Sequence, residues 1–130
     1  MSIEVEIIKV TAVSIDIIDY NILIFKINPE KRINSDNSNE LWILLNTLID
    51  AGVKKILVDL KHVEYIDSSG IGIFINATKK IRKKQGDLVL ANTSKEIKEI
   101  FKVINLQNFI KIHNTDAEAS NYFRLSFPSE

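Results

Sequence analysis

The sequence predicts an α/β fold on a mixed β-sheet, with antiparallel strands first and parallel strands joined by helical β-α crossovers after them. Three observations carry this. From residue 38 onward the chain alternates between apolar residues at helical spacing and short apolar runs, in the order helix, strand, helix, strand, helix, strand, helix. The runs at 55–60 and 88–91 are mostly apolar, the mark of parallel strands buried on both faces. Residues 3–27, by contrast, are rich in Ile and Val with polar residues interleaved and almost no capping signals, as antiparallel strands are.

Each element follows from its local pattern. Ile3-Val5-Ile7 and Ile22-Ile24 read as strands, Ile15–Ile18 as a third, and Asn28-Pro29 breaks the run. After a polar stretch, Asn37 or Ser38 serves as N-cap for a helix over 38–50, whose stripe is Leu41, Leu44, Leu45, Leu48 and Ile49. Trp42 lies off that stripe, and Gly52 ends the helix. Lys55–Leu60 is a buried strand that runs into a polar turn, Tyr65 to Ser69. A helix then runs from Ser69 to about Lys84, with Ile71, Phe74, Ile75, Thr78 and Ile81 toward one face, and closes at Gly86. Leu88–Ala91 is the next strand. Thr93-Ser94-Lys95-Glu96 resembles a capping box for a helix buried through Ile97, Ile100, Phe101 and Ile104. Phe109–Ile112 makes a last strand and Asp116–Phe123 a last helix, with 126–130 a frayed tail. The whole of 1–130 is expected to form one domain, with 1–14 as an added N-terminal strand segment.

Composition removes several function classes. Lys plus Arg and Asp plus Glu both total 17, so the chain lacks the positive field of a nucleic-acid binder. It has no cysteine, and His62 and His113 show no metal-ligand spacing. No apolar run is long enough to span a bilayer, and the start Met1-Ser2-Ile3-Glu4 is unlike a signal peptide, so a cytoplasmic protein is expected. Gly70-x-Gly72 lacks the third glycine and the acid of a dinucleotide site. Asp59 and Asp67 flank different turns, which argues against a metal cluster with Glu64. Lys79, Lys80, Arg82, Lys83 and Lys84 form a cationic helix end that complements the dipole.

The turn Asp67-Ser68-Ser69-Gly70 is the most informative stretch. Two adjacent hydroxyls sit where a helix presents unpaired N–H groups and the positive end of its dipole, a place that tolerates added phosphate. Either serine alone reads as an ordinary N-cap, with Ser69 the stronger candidate for that role. Asp67 either holds a serine hydroxyl or caps a backbone N–H. One acid without a partner base is no catalytic constellation, and no enzyme activity or cofactor is expected.

Val58-Asp59-Leu60 followed by Tyr65-Ile66-Asp67-Ser68-Ser69-Gly70-Ile71-Gly72 resembles the signature of STAS domains, and within them the bacterial anti-sigma factor antagonists. The likeness continues through Gly86-Asp87-Leu88-Val89-Leu90-Ala91, Ser94-Lys95-Glu96-Ile97, Phe101 and Leu106, covering about residues 20–123 by element order. It implies a STAS-type mixed sheet and a switch: the domain binds an anti-sigma factor that is also a serine kinase, so that a sigma factor is freed. The kinase then phosphorylates a serine of the turn, by position Ser68 with Ser69 the alternative, and a PP2C-type phosphatase reverses this. The implied docking face comprises Asn34, Ser35, Asn37, Asp67, Ser68, Ser69, Gly70, Ile71, Gly72, Ile73, Asn92 and Thr93. Lys31 and Asn34 depart from the family's pattern, which has glycine and aspartate there. The alternative role is a STAS scaffold subunit of a lipid transporter or signalling complex without phosphorylation, and weak homodimerisation stays open.

Overall fold

Strands β4 (Lys55–Asp59) and β6 (Asp87–Ala91) are mostly apolar because both of their faces are covered. Ile56, Val58, Leu88 and Leu90 enter one core, while Leu57, Val89 and Ala91 enter another on the opposite side. Three helices fill the first core: α1 (Ser38–Asp50) through Leu41, Leu45 and Ile49, α2 (Ser68–Lys83) through Phe74, Ala77 and Ile81, and α3 (Lys95–Val103) through Ile97 and Phe101. α4 (Asp116–Ser126) closes the second with Ala119 and Phe123. Alternate residues of one strand thus serve different helices, the consequence of a period of two.

The computed structural model describes residues 5–14, 17–27 and 32–127. β1 (Val5–Ser14) pairs antiparallel with β2 (Ile17–Ile27), and β2, β4, β6 and β7 (Lys111–His113) follow in parallel, giving the order β1-β2-β4-β6-β7. This is the mixed sheet the sequence predicts. The separate third strand expected at Ile15–Ile18 is corrected: Ile17 and Ile18 open the same strand that carries Ile22 and Ile24. Ile3, Ile15, Asn28-Pro29, Lys31 and residues 128–130 lie outside the described residues.

Four other boundaries differ from expectation. Arg32–Ile33 (β3) and Tyr65–Ile66 (β5), both read as loop, form a two-stranded parallel ribbon outside the main sheet. Ser94, not Thr93, caps α3 by accepting from the Ile97 N–H at 3.2 Å. Leu106–Asn108 is a 3-10 turn, so β7 begins at Lys111 rather than Phe109. Ser126 still belongs to α4, and the Phe127 ring packs 6.0 Å from those of Tyr122 and Phe123, so these two residues are not frayed.

Side chains at the C-terminal end of α2 tie it to its neighbours. Lys80 and Lys84 reach Asp50 of α1 at 2.7 and 3.3 Å, and their hydrogen bonds hold its carboxyl below the ordinary 3.8. Arg82 reaches the buried Asp87 of β6 at 2.9 Å. The cationic helix end is therefore a set of tethers as well as a complement to the dipole. A Cβ at Gly86 would stand 2.3 Å from the Lys54 carbonyl oxygen, so only glycine lets the chain pass there.

Candidate partner-binding site

α2 starts directly after the β3–β5 ribbon, and Asp67 is its cap. The Asp67 Oδ1 accepts from the N–H groups of Ser69 at 2.9 Å and Gly70 at 3.2 Å. Of the two roles open to Asp67, the structure selects backbone capping, and it corrects the expectation that Ser69 is the structural cap. Ser68 is left with no capping duty. It is the first residue of α2, it is exposed, and its hydroxyl makes no hydrogen bond to a described residue. Replacing Asp67 with Ala should lower stability by about 1 kcal/mol, read from the urea midpoint. Asn, which keeps an acceptor, should recover most of it.

Gly70 sets how closely the helix approaches the ribbon. A Cβ there would stand 2.5 Å from Ile33 Cγ2 and 2.8 Å from Ile66 Cγ2. The ribbon also brings in the loop before α1, since the Asp67 N–H donates to the Ile33 carbonyl at 3.0 Å. Inside that loop the Asp36 N–H donates to Asn34 Oδ1 at 2.9 Å, the Asn34 N–H to Asn37 Oδ1 at 3.0 Å, and Asn37 Nδ2 to the Arg32 carbonyl at 2.7 Å. Asn34 supplies a neutral side-chain acceptor that turns the loop, a task any carboxylate or amide oxygen performs. Ser35 beside it is exposed.

The residues expected to form one face thus differ in position and in exposure. Asn34, Ser35, Asn37 and the run from Asp67 to Ile73 are brought together by the ribbon, and Ser68, Ser69, Ile71, Gly72 and Ile73 keep accessible surface. Asn37, Gly70 and Thr93 are buried and act within the fold, so they offer a partner little to touch. Asn92, at a φ of 60°, donates through Nδ2 to Asp59 Oδ1 at 3.0 Å and Asp116 Oδ1 at 2.6 Å, which turns it toward α4, on the sheet face opposite α2.

Sequence reasoning missed Arg32 and Tyr65. Both are exposed on the ribbon, with the Arg32 guanidinium 5.6 Å from the centre of the Tyr65 ring. Adjacency to the serine turn was the available signal for Tyr65; nothing local marked Arg32. Among the described residues no group of three His, Cys, Asp or Glu converges as a metal site, and no helix is long and apolar enough to cross a membrane.

The chain is a mixed-sheet α/β domain in which an exposed hydroxyl, with no hydrogen bond to a described residue, stands at the start of a core helix beside a short ribbon and a polar loop. Comparison with known proteins gives the family: the STAS domain model matches residues 13–119, and the chain belongs to the STAS domain family. The anti-sigma-B factor antagonist of Listeria monocytogenes is 38% identical over 61 residues, 47% of this chain and 54% of that protein. Among solved structures, an anti-sigma factor antagonist from Mycobacterium paratuberculosis superposes with a TM-score of 0.71 at 14% identity, covering 92% of this chain and 95% of that one. The antagonist SpoIIAA in its unphosphorylated form gives 0.66 at 16% identity, covering 90% and 96%. At these identities the two structures speak for the fold alone.

Proposed function

We propose that this STAS protein is an anti-sigma factor antagonist. It binds an anti-sigma factor that is also a serine kinase, which frees a sigma factor, and it is released when the kinase phosphorylates Ser68. A PP2C-type phosphatase resets it, and the cycle runs in the cytoplasm. The observation that carries the reading is the exposed, uncapped hydroxyl of Ser68 at the start of α2, in a family whose relatives bear antagonist names.

Geometry favours Ser68 over Ser69 for two reasons. Ser68 is the more exposed of the pair. The N–H groups that Asp67 caps belong to Ser69 and Gly70, so modification of the residue before them leaves the cap bonds in place. Phosphate would add about −1.5 to −2 charges beside the positive end of α2, which stabilises the modified protein when it is free. The switch therefore needs no refolding. No catalytic group of this chain enters the cycle; it is substrate and ligand.

Incubation with ATP and the purified anti-sigma factor kinase encoded in the same genome, followed by peptide mass mapping, tests this. A single phosphate on Ser68 is expected, and none on the Ser68→Ala variant. Phosphate on Ser69 would overturn the site assignment, and absence of phosphate from both would overturn the cycle.

A further inference from the structure

At the end of the sheet away from Ser68, β6 and β7 begin, α2 and α4 finish, and the chain between α3 and β7 passes beside them. These segments border an open recess of about 400 Å³, within the size range of small-molecule sites. Phe109, Tyr122 and Phe127 are the aromatic residues of its lining, and Arg82, Asp87 and Lys111 are the charged ones. None of these belongs to the face around the serine turn.

Both cations are seated by neighbours. Arg82 Nε donates to Asp87 Oδ1 at 2.9 Å, and the guanidinium carbon stands 5.2 Å from the centre of the Phe109 ring. Lys111 Nζ stands 5.2 Å from the centre of the Tyr122 ring, whose hydroxyl donates to Asp87 Oδ2 at 2.6 Å. The fold accounts for the bonds to Asp87, but it leaves other donors unused. Neither Nη group of Arg82 makes a hydrogen bond to a described residue, and Lys111 forms no ion pair with a described acid. Asp87 is matched to Arg82, so Lys111 gives the recess one net positive charge. In a chain with 17 basic and 17 acidic residues, that excess is a local arrangement and not a share of a basic surface.

We infer that this recess binds a small organic monocarboxylate with an aromatic body. The carboxylate accepts from the free Nη edge of Arg82, whose planar fork suits two oxygens, and from the Lys111 ammonium. The aromatic body packs among Phe109, Tyr122 and Phe127, of which the last two already meet edge to face at 6.0 Å. A monoanion balances the single excess charge. A phosphate dianion overshoots it and must lie near the Asp87 carboxylate. The two seated cations lose less side-chain freedom on binding than unrestrained ones do, which favours affinity. The inference is independent of the antagonist reading, since it uses no residue of the serine turn.

The test titrates three probes into the isotope-labelled full chain and follows its amide resonances: phenylacetate, its neutral analogue phenylacetamide, and acetate, which keeps the charge without the ring. Phenylacetate should bind saturably with a Kd of about 1 mM, moving the amides of Phe109, Lys111 and Tyr122 most. Phenylacetamide and acetate should each bind at least about tenfold more weakly. Lys111→Ala should weaken phenylacetate by at least about tenfold. Lys61→Ala removes an exposed cation beyond the C-terminal end of β4, at the opposite end of the sheet, and should bind as wild type does. Lys111 is itself exposed, so its loss should leave the rest of the spectrum in place. Acetate binding as tightly as phenylacetate would overturn the inference by reducing the recess to a charged surface, and phenylacetamide doing so would reduce it to an apolar cleft. Shifts that never saturate, or that Lys111→Ala leaves unchanged, would overturn it as well.

Discussion

Ser68→Asp is expected to lower affinity for the anti-sigma factor by at least about 100-fold, whereas Ser68→Ala should stay within about threefold of wild type. The asymmetry follows from what Ser68 does in the free protein. Its hydroxyl holds no described residue, so removing it disturbs neither the Asp67 cap nor the contact between Gly70 and Ile33. A carboxylate at the same place must be desolvated when a partner covers it. A buried charge without a matched cation costs several kcal/mol, and each 1.4 kcal/mol is a factor of ten in affinity. The real modification carries up to twice the charge, so phosphorylated protein should bind more weakly than Ser68→Asp. Titration calorimetry with the two variants measures the effect, and melting curves remove the trivial explanation. An acid at the first position of a helix is favourable by about 0.3–1 kcal/mol, so Ser68→Asp should melt no lower than wild type. Equal binding by the two variants would refute charge as the switch.

The parts of this site differ in how far the sequence exposes them, for physical reasons. Ser68 was legible because β4 and α2 each announce themselves, one by burial on two faces and the other by an apolar stripe. The residue between them had to stand at a helix start. The capping residue was not legible, since Asp67, Ser68 and Ser69 are all good caps and only the backbone angles choose. The β3–β5 ribbon escaped because two residues cannot display a period and each strand's partner lies 33 positions away. Asn92 was placed correctly at a strand's C-terminal end, but its direction depends on α4, which crosses the other face of the sheet. The two glycines of the turn look identical in sequence. Only the packing of Ile33 and Ile66 on Gly70 tells them apart.

Long-range polar contacts were equally invisible, and one of them carries the largest expected loss of stability. Asp87 opens β6 with its side chain only 4% exposed. Its Oδ1 accepts from Arg82 Nε of α2 and from the Leu88 N–H, both at 2.9 Å, and its Oδ2 accepts from the Tyr122 hydroxyl of α4 at 2.6 Å. One carboxylate thus joins the helices on opposite faces through the sheet between them. Asp87→Ala should cost about 3 kcal/mol, because it leaves the Tyr122 hydroxyl and the Leu88 N–H without their acceptor. Arg82 is 35% exposed and recovers part of its loss in water, which keeps the figure at the lower end for a broken buried pair. The melting temperature should fall by roughly 10 °C. Tyr122→Phe deletes one bond and leaves Asp87 with its other two, so about 1 kcal/mol is expected there.

Alkaline pH distinguishes the two variants further. Burial, and then the hydrogen bond to Asp87, push the Tyr122 phenol well above its ordinary 10.0. A group whose pKa is raised by folding contributes stability that is complete below its unfolded value and declines as pH climbs past it. Wild type should therefore lose stability above pH 10 more steeply than Tyr122→Phe in paired urea titrations, and parallel curves would show that the phenol is not held this way. Ser68 sits at the other end of α2, about 21 Å along the axis from Arg82 of this anchor. Below its lowered melting point, Asp87→Ala should consequently accept phosphate on Ser68 at the wild-type rate. A slowed reaction in folded protein would instead mean that the anchor positions the serine turn along the length of the helix.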